Sequence, residues 1–273
     1  MPNHITNRLT IIGTEEQVKQ VREAIKGEGE DHFIDFNKIA PIPTELVGTI
    51  SPMRIISQSE YDEQERKIRE DDLTDMERQW GLSRSLTQKL VNEYTKKFGH
   101  CDWYGWQNAN WGTKWNAYDQ IEVDENVIEF DTAWSTPYEL MLKLSEMFPE
   151  VQFEIKYADE DFGHNVGEYT LENGQTINDN IPVGGTVEAI EMAIDIKGDE
   201  EYYLESYLSD EVEEDEMSRF DDNLIEVVHN RGKLFDGYPT FILERLKELA
   251  LADEQFERVI EIDKLLSSKE AEA

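Results

Sequence analysis

Two stretches of this chain repeat one grammar: an alternating strand followed by a capped helix with an apolar stripe. In residues 4–12, Ile5, Asn7, Leu9 and Ile11 fall on one face, and Thr6, Arg8, Thr10 and Ile12 on the other. Gly13 ends the run. Thr14 with Gln17 makes a capping-box pattern, and Val18, Val21 and Ile25 form the stripe of a helix closed by Gly27 and Gly29. In residues 127–134, Ile128, Phe130, Thr132 and Trp134 share one face, with Asp131 on the other. Thr136-Pro137-Tyr138-Glu139 then supplies a cap, a first-turn proline and a box-closing acid. Leu140, Leu144 and Met147 provide the second stripe, and Pro149 follows it.

Two further strands complete the pattern. Phe33 to Ile39, closed by Pro41 and Pro43, reads as the second strand, and Val151, Phe153, Ile155 and Tyr157 alternate as the last. The order is β-α-β-β-α-β, which predicts an α+β fold of the ferredoxin-like kind: an antiparallel sheet with two helices on one face. Residues 58–80 are polar, and 83–98 carry Leu86, Leu90, Tyr94 and Phe98 at helical spacing. Together they read as a helical insertion at about 58–100 within a domain spanning 1–165. Residues 166–273 form an acidic extension. It opens with a hairpin turning at Asn173-Gly174, continues with residues 186–197 as a short helix or a strand, and ends in an αα-hairpin from Pro239 onward, with Asp253 as the cap of its second helix.

Charge narrows the partners. The 273 residues carry 61 acidic side chains against 26 basic, a net charge of -35, with 38% hydrophobic and 32% charged content. Such a field repels phosphate backbones and membrane surfaces and attracts basic partners. Direct nucleic-acid binding is disfavoured, because its affinity comes from Lys and Arg neutralising phosphates. The acids concentrate in residues 199–222, where Asp210, Glu211, Glu213, Glu214, Asp215 and Glu216 stand beside Tyr202, Tyr203, Leu204, Tyr207 and Leu208. That block is either a solvated linker or an acidic interaction surface for a basic protein. A single cysteine, Cys101, excludes an intramolecular disulfide. The opening Met1-Pro2-Asn3-His4 reads as no signal peptide, and no apolar run approaches the ~18 residues of a membrane span. The expected location is the cytoplasm, with no membrane partner.

The candidate site is the stretch from Trp103 to Asp119, which holds four of the six tryptophans. In one reading its aromatics cap a small core from a Gly-rich loop. In the other, Trp111 and Trp115 form a π platform, Lys114 supplies charge, and Asn110 and Asn116 supply donors and acceptors. Asp131 and Trp134, on the strand that the loop feeds, join the ligand or partner set. Catalytic and metal motifs are missing: there is no Gly-rich phosphate loop, no HExxH and no paired CxxC. His100, Cys101 and Asp102 are adjacent, but neighbours on a strand point to opposite faces. No catalytic residue, cofactor or metal is assigned.

Asn110-Trp111-Gly112-Thr113-Lys114-Trp115-Asn116-Ala117-Tyr118-Asp119, followed by Phe130 to Pro137, resembles the YubB/Api-like ferredoxin-like proteins of phages, plasmids and integrated mobile elements. Met1-Pro2-Asn3 with Asn7 and Leu9, and Phe36-Asn37-Lys38-Ile39 with Pro41 and Pro43, carry the same resemblance, which spans about residues 1–165. It implies the ferredoxin-like fold and a mobile-element origin, and no established activity. Relatives carry cysteines where this chain has His4 and Gln107.

Three functions are therefore expected in order. The first is a non-catalytic accessory protein of a phage or mobile element that binds a basic host or partner surface, with nucleic-acid mimicry against host defence as its narrower form. The second is a small-ligand, nucleotide-like binding module using the Trp/Asn/Lys loop. The third is an enzyme of unknown reaction using Lys114 and Asp131.

Overall fold

The computed structural model describes residues 2–70, 83–198, 202, 208, 218–234 and 238–272. The first strand, β1 (His4–Ile12), leads into helix α1 (Glu15–Ile25). Their junction is the expected capping box, with Gln17 N–H donating to Thr14 Oγ1 and Thr14 N–H donating to Gln17 Oε1. Helices α2 (Phe36–Ile39), α3 (Gln58–Arg69), α4 (Gln88–Phe98) and α5 (Trp103–Trp111) follow. Strands β2 (Tyr118–Asp124) and β3 (Val127–Ala133), helix α6 (Tyr138–Met147) and strand β4 (Gln152–Asp159) come next. The hairpin is β5 (Gly167–Glu172) and β6 (Gln175–Asn180), with φ of 48° at Asn173 and 71° at Gly174 as its turn demands. Helices α7 (Val187–Lys197), α8 (Arg219–Asn230), α9 (Thr240–Ala252) and α10 (Phe256–Glu272) end the chain.

The six strands form one antiparallel sheet in the order β2-β3-β1-β4-β5-β6. Its first four strands have the ferredoxin-like arrangement, and the hairpin extends the β4 side. In β1, Ile5, Asn7, Leu9 and Ile11 are fully buried, and Ile128, Phe130 and Thr132 of β3 meet them. Arg8 lies opposite Glu129 in the register and pairs with it at 3.0 Å. This is the alternation of a sheet with one face on the core.

The second strand is not where the pattern placed it. Phe33 to Ile39 is not a strand: Asp35 accepts from Asn37 N–H and caps α2, which buries Phe36. Asp35 offers a helix start, Phe36 and Ile39 share a helical face, and the prolines stop it after one turn. The strand role passes to β2, beyond the insertion. Gln120 then reaches back to residue 34, accepting from Ile34 N–H at 2.8 Å and donating to Ile34 O at 2.9 Å. One side-chain amide stands in for the strand pairing that residues 33–39 do not make. The expected Thr136 capping box also does not form; α6 begins after Pro137 with no side-chain cap. Asp253 ends α9, rather than capping α10, and its carboxylate meets His229 Nε2 at 2.9 Å.

The chain divides into two compact units, Met1–Glu154 with Thr170–Ile177, and Ile155–Tyr169 with Asn178–Ala273. The first buries Ile5, Leu9, Val21, Phe36, Phe130, Leu140 and Phe153. The second packs α7 against α8, α8 against α9, and α9 against α10, burying Phe162, Ile190, Leu224, Tyr238, Ile242, Leu246 and Ile262. Helices α9 and α10 pack on each other as an αα-hairpin, without the Asp253 cap expected for the second. Asp210, Glu211, Glu213, Glu214, Asp215 and Glu216 lie outside the described residues. No described helix is long and apolar enough to cross a membrane.

Candidate functional site: the tryptophan segment

The segment is not a loop throughout. Its first part is helix α5, started by Asp102, whose Oδ1 accepts from Gly105 N–H at 2.8 Å. Two of its asparagines fold back on the preceding turn: Asn108 Nδ2 donates to Tyr104 O at 2.7 Å, and Asn110 Nδ2 to Trp106 O at 2.9 Å. Trp106 and Trp111 turn inward, 8% and 1% exposed. Trp111 meets Phe36 edge-on at 5.6 Å and Trp106 at 6.0 Å. Its indole Nε1–H donates to Ala40 O at 2.8 Å, which answers the cost of burying that donor. Trp111 is therefore a core residue and not half of a ligand platform.

Asn110 is also engaged. Lys143 Nζ, from α6, donates to its Oδ1 at 2.9 Å and to its backbone O at 3.0 Å. Burial pulls the Lys143 pKa down, opposed by Glu139 and Glu146. Gly112 ends α5 at φ 80°, and a Cβ there would collide with the Glu139 carboxylate.

After Gly112 the segment turns outward. Thr113 is buried and its hydroxyl donates to Ala133 O at 2.8 Å, while Ser135 Oγ donates to Gly112 O. The turn is thus stitched to the end of β3. That places Lys114 between two indoles: Nζ lies 4.4 Å from the Trp115 ring centroid and 4.7 Å from that of Trp134. Trp115 is 38% exposed and Trp134 44%. Trp134 holds its place at φ 70°, with its N–H donating to Asn3 O at 2.9 Å. Trp115 meets Tyr118 edge-on at 6.3 Å, and the Tyr118 hydroxyl meets His4 Nδ1 at 2.8 Å. A cation over two exposed π faces gains about 0.5–1 kcal/mol per contact.

Asn116 serves the fold. Its Oδ1 accepts from Phe36 N–H at 2.9 Å and Ala117 N–H at 3.0 Å, and its Nδ2 donates to Asp35 at 2.8 Å. Asp131 sits in β3 opposite Thr6 of β1 and Tyr118 of β2. Of the predicted residues, then, Lys114, Trp115 and Trp134 come together at the surface, Trp111 and Asn110 belong to the helix and its packing, and Asn116 closes the base of the insertion. Sequence reading missed Tyr118, His4, Gln120 and Lys143. The Tyr118 position was detectable, four residues beyond Lys114 within the same motif.

Among the described residues, no three His, Cys, Asp or Glu side chains are grouped so as to hold an ion. Burial, and then the Asp102 charge, push the Cys101 thiol pKa up. A thiol in that setting is a poor nucleophile.

Comparison with curated proteins finds no match. Among solved structures the chain is similar to the crystal structure of a protein api92 from Yersinia pseudotuberculosis, with 14% identity, a TM-score of 0.36, and coverage of 67% of this chain and 99% of that one. Residues 110–200, which run from the end of α5 through α7, match the family model described as the ferredoxin-like domain in Api92-like protein.

Proposed function

We propose that this is a non-catalytic accessory protein that binds a basic protein surface through its acidic one. The observation that carries the reading is the net charge of -35 and its distribution. The unit made of 155–169 and 178–273 holds 31 acidic against 10 basic side chains, and the remainder holds 30 against 16. In the first of these, Asp222, Glu226, Glu244, Glu248, Glu257 and Glu261 are exposed on helices. A field of this sign accelerates encounter with a cationic partner and repels polyanions. The phage or mobile-element origin belongs to the same proposal and rests on the motif resemblance; the cytoplasmic setting rests on the single cysteine. Nucleic-acid mimicry is its narrower form. It requires carboxylates spaced along ordered surfaces, whereas on α3 Arg66 engages Glu63 and Glu70, and on α9 and α10 Lys247 engages Asp263.

The ligand-module reading loses Trp111, Asn110 and Asn116, which are used internally, and keeps Lys114, Trp115, Trp134 and Asp131. The partner reading is tested by capture from the native host at low and high salt, followed by association kinetics with the recovered protein. Replacing Asp210, Glu211, Glu213, Glu214, Asp215 and Glu216 by Asn or Gln is expected to slow association and flatten its salt dependence. Failure to recover a basic protein at low salt overturns the proposal.

A further inference from the structure

Strand β2 is one edge of the sheet, and its two halves are treated differently. The first half is covered: Gln120 grips Ile34 by both amide atoms and donates to Ala117 O. Among the described residues, Ile121–Asp124 makes no such clasp. Instead, Ile121 is 57% exposed and Val123 55%. Folded proteins commonly blunt an edge strand with charge, proline or a covering segment, because an open apolar edge templates another strand. Here the cover stops; Ile121 and Val123 follow, interleaved with Glu122 and Asp124, and the register against β3 shifts between Glu122 and Asp124.

The two sides of this half-strand differ in chemistry. Ile121 lies opposite Glu129, on the face away from the helices. Glu122 lies opposite the buried Ile128 and pairs with Arg22 of α1, on the helix side. On that side a groove runs between α1 and the β2–β3 turn, lined by Glu15, Lys19, Arg22, Glu122, Asp124 and Glu125. Four carboxylates face two cations there, and one of those cations is already engaged by Glu122.

We infer that the open half of β2 is the docking edge for an extended basic segment of the protein partner, added as a further strand. Successive side chains of an added strand point to opposite faces, and its backbone supplies the ladder hydrogen bonds. One alternate set therefore lies on the face of Ile121 and is aliphatic. The other enters the groove against Glu15, Asp124 and Glu125 and is Lys or Arg. The recognised pattern is alternation of basic and β-branched residues over about four positions, which matches the reach of the uncovered half-strand. This rests on the basic-partner reading and gives it a location and a sequence rule.

The test uses the full chain and three fluorescent peptides at low salt. One alternates Lys with Val, one has the same composition in two blocks, and one is the alternating peptide N-methylated throughout, which removes its donors. The alternating peptide is expected to bind about tenfold more tightly than either control. Changing Ile121 and Val123 together to Lys is expected to cost about tenfold or more. Changing both to Thr, which keeps strand propensity, is expected to weaken binding in the same direction with the fold intact by circular dichroism. Glu15→Gln with Glu125→Gln is expected to flatten the salt dependence. Equal binding of the block and alternating peptides, or undiminished binding of the N-methylated one, overturns strand addition at this edge and leaves the basic-partner reading standing. Absence of binding by every peptide also overturns the edge. The partner reading is decided separately, by the low-salt capture and the neutralised 210–216 variant.

Discussion

Indoles on either side of Gly112 meet opposite fates. Before Gly112, two of the three indoles are inside: Trp106 and Trp111 pack edge-on, and the Trp111 N–H has a backbone acceptor. Beyond Gly112 they are outside: Trp115 and Trp134 hold Lys114 between them and stay more than a third exposed. The dividing feature is one glycine at positive φ, which reverses the chain after the helix. Aromatic density alone therefore identifies neither a core nor a site. What separates them is whether the indole N–H finds a backbone partner and whether the faces meet other rings or a charge.

Several substitutions sharpen or break this contrast. The largest effect is expected from Trp111→Ala, which opens a cavity beside Phe36 and Trp106 and leaves Ala40 O unpaired; denaturant unfolding should show a loss of about 3–5 kcal/mol. A loss as small as that of a surface residue removes Trp111 from the core side. Asn116→Ala comes next. It strips the acceptor from Phe36 N–H and the donor from Asp35, for an expected loss of about 1–3 kcal/mol by the same measurement.

On the outer side, Trp134→Ala and Trp115→Ala should each cost no more than about 1 kcal/mol, the scale of an exposed cation–π contact. A cost equal to that of Trp111→Ala would erase the distinction. The smallest effect is chemical. Because burial and Asp102 raise the Cys101 pKa, its thiolate fraction at pH 8 is lower folded than unfolded. A thiol reagent should therefore react more slowly with the native chain than with the chain in denaturant, and the gap should narrow as pH rises through the raised pKa.

The two β-α units were legible because strand alternation and helix stripes agree at each of them, and at the first the cap agrees too: Thr14 with Gln17 does what the pattern says. The α6 start was legible in position but not in its cap. Residues 33–39 misled because a short apolar stretch before prolines suits either one helical turn or a strand, and Asp35 at the cap position decides it. Strand β2 escaped notice for the opposite reason: as an edge it exposes Ile121 and Val123, so its alternation has no buried side to anchor the reading. Helix α5 was hidden by composition, since it contains no aliphatic stripe. At the site, sequence identified Lys114, Trp115 and Trp134, whose contacts are local or at the end of the adjoining strand. The roles of Asn110, Trp111 and Asn116 depend on Lys143, Ala40 and Asp35, and spacing along the chain carries no trace of those partners.

The insertion between α1 and β2 also sets the order in which the sheet can assemble. From β3 through α6 to β4 and the hairpin, each element follows its neighbour by a few residues, so those contacts close short loops. The central pairing of β1 with β3 is different: Asn7 and Phe130 are 123 positions apart. Loop-closure entropy grows only slowly with length, so the cost to stability is modest. Search time is more sensitive, and topologies dominated by distant pairs fold slowly. The strand pairs β2–β3 and β5–β6 close short loops, whereas β1, which lies between β3 and β4, joins them through the long one. The clasps of Asn116 with Asp35 and Gln120 with Ile34 then fasten the base of the excursion, so that the loop above can lengthen or shorten with little consequence for the sheet below.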